Sequence, residues 1–135
     1  MKKTFLYEDH LSHGAKMIDF SGWSMPINYG SQIDEHHQVR NDVGIFDVSH
    51  MSIFNISGQN AERYLRFIFS NDVKKINSKN KSLYGLLLNE SAGIIDDLIV
   101  YCLEGDFMIV SNCATKEKNE AWYQRHASEF DVSVE

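Results

Sequence analysis

The sequence predicts an α+β fold, a mainly antiparallel sheet partnered by helices. Short apolar or alternating segments recur at 83–88, 93–101 and 107–111, with Asn89-Glu90-Ser91-Ala92-Gly93 and Glu104-Gly105-Asp106 as turns beside them. Two amphipathic segments, 61–69 and 116–127, each follow a residue suited to capping a helix, Asn60 and Thr115. From residue 51 the expected order is β-α-β-β-β-α-β, in which helices can cover one face of the sheet.

The elements follow in order. Residues 5–13 suit a short helix with Phe5, Leu6 and Leu11 as its apolar side. His10 and His13 stand three apart on it, a spacing open either to a metal or to ordinary packing. Residues 16–20 read as a strand. Residues 22–30 hold two glycines, the only proline and two aromatics, and read as an ordered loop. Ser31 is a good N-cap for a helix over 32–41, on which His36 and His37 point about a hundred degrees apart and so do not share one metal. Residues 43–51 read as strand-like, and 51–57 as an alternating strand that Gly58 ends. The helix at 61–69 places Ala61, Tyr64, Leu65 and Ile68 on one face. Residues 71–80 are polar and basic, a surface connection. A last strand begins at residue 131 and the sequence stops within it, which reads as truncation and leaves that strand without an expected partner.

Composition excludes several classes. A hydrophobic content of 43% with 24% charged residues is that of a soluble globular chain of 135 residues, one domain's worth. A net charge of −6 and no basic run longer than Lys74-Lys75 argue against nucleic acid as a partner. Cys102 and Cys113 are too few for a disulfide framework and read as reduced core thiols. Glu8, Asp9 and His10 interrupt any apolar run behind the basic start, so neither a signal peptide nor a membrane span is expected, and the location reads as cytoplasmic.

The central stretch is Gly93-Ile94-Ile95-Asp96-Asp97-Leu98-Ile99-Val100-Tyr101. Strand alternation puts Ile95, Asp97, Ile99 and Tyr101 on one face and Ile94, Asp96, Leu98, Val100 and Cys102 on the other. A carboxylate beside apolar columns needs donors, a cation or a ligand. Either the two acids complete the preceding turn, or one of them faces a ligand. Ser49-His50 suggests a hydrolase pair, but neighbours in a strand point apart and no Gly-x-Ser-x-Gly elbow is present; His50 reads as a structural hydrogen-bonder.

Several stretches together resemble the aminomethyltransferase (T-protein) of the glycine cleavage system. They are Gly14-Ala15-Lys16-Met17-Ile18-Asp19-Phe20-Ser21-Gly22-Trp23 with Met25-Pro26, Asp42-Val43-Gly44-Ile45-Phe46-Asp47-Val48-Ser49-His50-Met51, and the stretch from Gly93 to Tyr101. Ser70-Asn71-Asp72 and Asn112-Cys113-Ala114-Thr115-Lys116-Glu117-Lys118 match less closely. The matches keep family order but reach only the N-terminal portion of the family sequence. The resemblance implies the N-terminal part of the aminomethyltransferase folate-binding fold, with 1–135 as a single partial folate-binding domain that is inactive alone. It implies an enzyme that takes the aminomethyl group from the lipoyl arm of H-protein, transfers its methylene to tetrahydrofolate and releases ammonia. Lipoylated H-protein and folate are then the partners, tetrahydrofolate the co-substrate, and no metal, nucleic acid or membrane is expected. By position, Asp97 resembles the carboxylate that faces the reacting folate nitrogens, and Met51, Tyr84, Ile99 and Asn112 resemble residues lining the pterin and aminobenzoyl pocket. Asp96 is given a structural role.

The chemistry suits those residue types. Methylene transfer passes through iminium-like cations, which a fixed carboxylate stabilises. Met51 and Tyr84 offer polarizable and aromatic surface, and Asn112 a donor and an acceptor. Where the family usually has two glycines before Ile-Ile-Asp-Asp, the first is Ala92, which is expected to need a negative φ. Two relatives of the fold stand as alternatives: a non-enzymatic protein of iron–sulfur cluster assembly, and the folate domain of a sarcosine or dimethylglycine oxidase. The absence of Gly-x-Gly-x-x-Gly speaks against a flavin domain in this stretch.

Overall fold

The computed structural model describes residues 1–76, 78 and 80–135. They divide into two compact units, Met1–His50 and Met51–Glu135.

In the first unit, β1 (Lys2–Lys3), helix α1 (Tyr7–Ser12), β2 (Lys16–Phe20), β3 (Trp23–Asn28) and helix α2 (Gln32–Asn41) follow one another. The sheet order is β1-β3-β2, with β2 antiparallel and β1 parallel to β3. The stretch expected to be a loop, 22–30, is thus the central strand of this sheet. Pro26 is tolerated there because the register of β2 shifts between Lys16 and Met17, opposite it, and because β1 reaches only Trp23 and Ser24. Ser31 caps α2 as expected, its hydroxyl accepting from the Asp34 N–H at 3.2 Å. The strand expected over 43–51 does not form before Ser52. Residues 43–48 carry no regular structure, and Val43, Ile45, Phe46 and Val48 are exposed. The segment is held through Asp47, which meets His10 Nε2 at 2.8 Å and accepts from the Ser49 N–H at 2.9 Å. Burial pushes the Asp47 carboxyl up, but the hydrogen bonds from Ser49 and His10 outweigh it and hold it below the usual carboxylate range.

The second unit contains β4 (Ser52–Ser57), helix α3 (Ala61–Ile68), a 3-10 turn (Val73–Ile76), β5 (Ser82–Leu88), β6 (Ile94–Cys102), β7 (Phe107–Ser111), helix α4 (Lys116–Phe130) and β8 (Ser133–Val134). This is the expected β-α-β-β-β-α-β order. The five strands form one antiparallel sheet in the order β5-β6-β7-β4-β8. Alternation sends Phe54, Ile56, Leu87, Leu98, Val100 and Ile109 to one face, where they form a single core with Ala61, Tyr64, Leu65 and Ile68 of α3 and Tyr123 and Ala127 of α4. Both helices therefore cover the same face of the sheet. Tyr64 and Tyr123 are fully buried, and the Tyr64 hydroxyl donates to the Tyr123 carbonyl at 2.9 Å. Burial pushes both phenols above their ordinary range.

Other expectations change. Neither Asn60 nor Thr115 makes a side-chain capping bond, although each precedes its helix. The connection over 71–80 is not all surface: Val73 and Ile76 are buried in the core, because the 3-10 turn carries them against β5 and β6; Asn77 and Lys79 of that connection lie outside the described residues. The final strand has a partner after all, β4, with Ile56 opposite Val134 and Ser57 opposite Ser133. Cys102 is a buried free thiol as expected, whereas Cys113 is only half-buried.

Candidate functional site

The second unit's sheet has a face that its helices do not cover. Tyr84, Ile99, Val110 and Ile53 lie side by side on it, each opposite the next in register across β5, β6, β7 and β4. Tyr84 and Ile53 are exposed, and Ile99 and Val110 half-buried. Asp97 stands one step away on β6, on the same face and opposite Leu86. Asn112 immediately follows β7, and Met51 immediately precedes β4, at the same end of the sheet. The five residues singled out from the sequence, Met51, Tyr84, Asp97, Ile99 and Asn112, thus fall on one face or its margin.

The two acids are treated differently. The Asp97 carboxylate is exposed, with the Tyr84 hydroxyl donating to Oδ2 at 3.3 Å and the Asn112 amide donating to Oδ1 at 3.0 Å. The Asp97 charge, with lesser help from desolvation and that hydrogen bond, raises the Tyr84 phenol. Asp96 points to the core side and is 7% exposed. Its Oδ2 accepts from the Thr115 hydroxyl at 2.6 Å and the Asn119 amide at 2.5 Å, and its Oδ1 from the Asn112 amide at 2.8 Å. Burial pushes the Asp96 carboxyl up, but these donors and the Asp97 N–H more than offset it, and the net shift is downward.

The local sequence explains how the pair is presented. Asn89 organises the turn before it, its Oδ1 accepting from the N–H groups of Ser91 and Gly93 at 3.0 and 2.8 Å. Ala92 adopts φ +60°, against the expectation of a negative φ, because the turn geometry set by Asn89 needs a left-handed residue there. The register then shifts between Leu87, opposite Asp96, and Leu88, opposite Ile94, leaving Ile95 unopposed as a bulge. The Ile95 carbonyl accepts from Lys118 Nζ at 2.5 Å.

Sequence reasoning missed Thr115 and Asn119 as partners of Asp96. Their i, i+4 spacing just after the Asn112 match was a usable signal, but Thr115 reads first as a cap. It also missed Asn71, whose amide donates to the Tyr84 carbonyl at 3.1 Å and backs that strand.

Other candidates have other partners. His10 uses both ring nitrogens, with Tyr29 at 2.6 Å and Asp47 at 2.8 Å, and His13 Nδ1 meets the Asp9 carbonyl at 2.8 Å. Among the described residues no group of three or more His, Cys, Asp or Glu side chains is placed to hold a metal ion. His50 is not the hydrogen-bonder expected, since its Nδ1 is buried without a partner and its ring lies edge-on to Phe20 at 5.4 Å. A cavity of about 500 Å3 lies in the first unit, with Phe20, Met25, Val39 and Phe46 in its wall, and contains none of the five residues above. Its wall also carries Glu35 and Asp47, but Glu35 accepts from the Tyr29 N–H at 2.6 Å and Asp47 is bonded to His10 and the Ser49 N–H. No helix among the described residues is long and apolar enough to cross a membrane.

Comparisons with known proteins place the chain in a family. A family model described as the GCVT N-terminal domain matches residues 6–135. An aminomethyltransferase of Francisella tularensis subsp. holarctica is 55% identical over 135 residues, covering 99% of this chain and 37% of its own length. Those of subsp. tularensis and subsp. mediasiatica are 54% and 53% identical with the same coverage. The crystal structure of glycine cleavage system aminomethyltransferase T from Bartonella henselae superposes with a TM-score of 0.89 at 36% identity, covering 98% of this chain and 37% of that one. The chain therefore spans 37% of the length of the relatives it matches. It has their α+β fold over that portion, and it belongs to the GCVT N-terminal domain family.

Proposed function

We propose that this chain supplies the N-terminal portion of a tetrahydrofolate-dependent aminomethyltransferase of the glycine cleavage system. The reaction is transfer of the methylene of the aminomethyl group on lipoylated H-protein to tetrahydrofolate, with release of ammonia. In this reading residues 1–135 are one partial folate-binding domain, H-protein and folate are the partners, and the location is cytoplasmic. The names of the relatives support the activity, and the share of their length that is matched leaves it to the longer polypeptide.

The observation that carries the assignment of roles is the position of Asp97. Its carboxylate is exposed beside an aromatic and aliphatic row, one step along β6 from Ile99, held from two sides by Tyr84 and Asn112. A fixed anion there stabilises positive charge developing on the nitrogens of a bound folate, and does so without reorganising in the transition state. Tyr84 and Ile99 give flat, mostly apolar surface for a planar ring system, and Met51 an adaptable margin. The Asn112 N–H groups are directed to the acids, which leaves its oxygen to accept from a ligand. Asp96 is structural in this scheme, tying β6 to α4.

The test is a completed enzyme, in which residues 1–135 replace the matching segment of the Francisella tularensis relative. Ammonia release is assayed with aminomethyl-loaded H-protein and tetrahydrofolate. Asp97→Asn is expected to lower turnover by about 10²–10³-fold, the effect of removing one group that acts on transition-state charge, with a much smaller change in folate affinity. Asp96→Asn is expected to have the smaller kinetic effect. Equal losses of affinity and turnover at Asp97, or no loss, would refute the role.

A further inference from the structure

We propose that Thr115 and Asn119 are positioning residues for the Asp97 carboxylate, acting through Asp96 and the Asn112 amide. The proposal rests on the reading of Asp97 given above.

Neither side chain hydrogen-bonds to the backbone of its own helix. Thr115 precedes α4, yet its hydroxyl makes no capping bond to the first turn. It lies 2.6 Å from Asp96 Oδ2 and 3.2 Å from the Asn112 carbonyl, touching both members of the relay. Asn119 is wholly buried within α4, a place where asparagine is a poor helix former and where an amide must justify its desolvation. Its Oδ1 has no partner, while its Nδ2 is committed to Asp96 Oδ2 at 2.5 Å and approaches Thr115 Oγ1 at 3.3 Å. A leucine would fill that site without leaving an unpaired oxygen. Helix formation and core packing therefore account for neither residue, and both converge on one carboxylate oxygen.

From that oxygen the constraint runs to the open face in two steps. With Oδ2 fixed by Thr115 and Asn119, the plane of the Asp96 carboxylate is set, and with it the position of Oδ1. Oδ1 takes one N–H of the Asn112 amide at 2.8 Å. An amide nitrogen carries two hydrogens in a rigid plane, so fixing one directs the other. The second reaches Asp97, whose Oδ1 is 3.0 Å and carbonyl 3.3 Å from the same nitrogen. Asn112 can serve both faces because it lies just past the end of β7, where no further strand residue separates them. The buried acid thus acts as a bracket between helix α4 and the exposed acid.

The completed enzyme tests this with Thr115→Val and Thr115→Ser. Thr115→Val keeps shape and removes the hydroxyl. It is expected to lower kcat about tenfold with the tetrahydrofolate KM changed less than about threefold, since a looser Asp97 loses transition-state contact first. Thr115→Ser restores kcat to within about twofold. In an Asp97→Asn background Thr115→Val is expected to have almost no further effect, because the relay then ends on an amide. On residues 1–135 themselves, the Asn112 side-chain amide resonances are expected to move in Thr115→Val and to stay in Thr115→Ser. If Thr115→Val does not fold, Asn119→Ala is read in the same cycle. Wild-type kcat in the folded variant, an equal loss in Thr115→Ser, additivity with Asp97→Asn, or unmoved Asn112 resonances would each overturn the proposal. Full activity of Asp97→Asn alone would instead refute the role given to Asp97, so the two failures are distinguishable.

Discussion

Replacing Asp96 by asparagine removes a charge from beneath the sheet while keeping its size. The wild-type carboxylate accepts three side-chain hydrogen bonds, from Thr115, Asn119 and Asn112. An asparagine can offer its oxygen to Thr115 and Asn119, but its amide then confronts the Asn112 amide donor to donor. One charge-assisted bond, about 1.5–3 kcal/mol, is lost and the remaining two fall to neutral strength, so the variant is expected to be about 3 kcal/mol less stable at pH 7. The loss depends on pH. The net downward shift of the Asp96 carboxyl means that the native state favours the anion. Its contribution is full above the ordinary unfolded carboxylate range near pH 4 and drains away as the pH falls through the lowered native value. Wild type and variant should therefore draw together as the pH falls below about 4. Urea unfolding of residues 1–135 can be followed by Trp122, which lies in α4, the helix that this network ties to β6. A difference under about 0.5 kcal/mol at pH 7, or one of the same size at pH 3, would show that the three donors do not stabilise the carboxylate as argued.

Met51→Ala is expected to weaken tetrahydrofolate binding by the completed enzyme about five- to tenfold in calorimetry, with the melting temperature nearly unchanged, because Met51 is only half-buried; an unchanged affinity with a large fall in melting temperature would return it to the core. Ala92→Gly relieves a left-handed alanine at φ +60°, worth about 1–2 kcal/mol, against about 0.4–1 kcal/mol for a more flexible unfolded chain, so unfolding should show a small net gain. Gly85→Ala would bring a Cβ to 2.6 and 2.7 Å from the Phe69 ring, which is 5% exposed. It is expected to cost about 1–3 kcal/mol in thermal unfolding.

Much of the second unit was legible in sequence because its signals agree with one another. The face Ala61, Tyr64, Leu65 and Ile68 shows as a helical period, and all four are buried. Asp96 and Asp97 separate onto opposite faces by alternation alone, but both columns are apolar, so which acid is buried shows only in the structure. The first unit misled the reading. Residues 22–30 look like a loop because Pro26 and the flanking glycines are breakers in isolation, and only the shifted register of β2 opposite Pro26 makes a strand possible. Residues 43–48 look like a strand because they are rich in Val, Ile and Phe, but apolar content reports a tendency to be covered, not to pair. The backbone there is directed by Asp47, through bonds to His10 and Ser49. Thr115 was read as a cap because residue type cannot show that a carboxylate 19 positions earlier competes for its hydroxyl.

The bulge at Ile95 has a consequence for fidelity. Two chemically identical acids sit next to each other, and nothing but the phase of β6 against its neighbours decides which is buried among donors and which meets solvent. A slip by one residue would exchange them, leaving the composition, the charge and most of the strand's apolar content intact. Such a molecule would still look like a sheet by circular dichroism and would still carry both carboxylates, yet it would present the wrong one. Lys118 reaches the same place from α4, its ammonium donating to the Ile95 carbonyl at the bulge. Errors in strand phase would therefore surface as spectroscopically normal protein with its two acids exchanged.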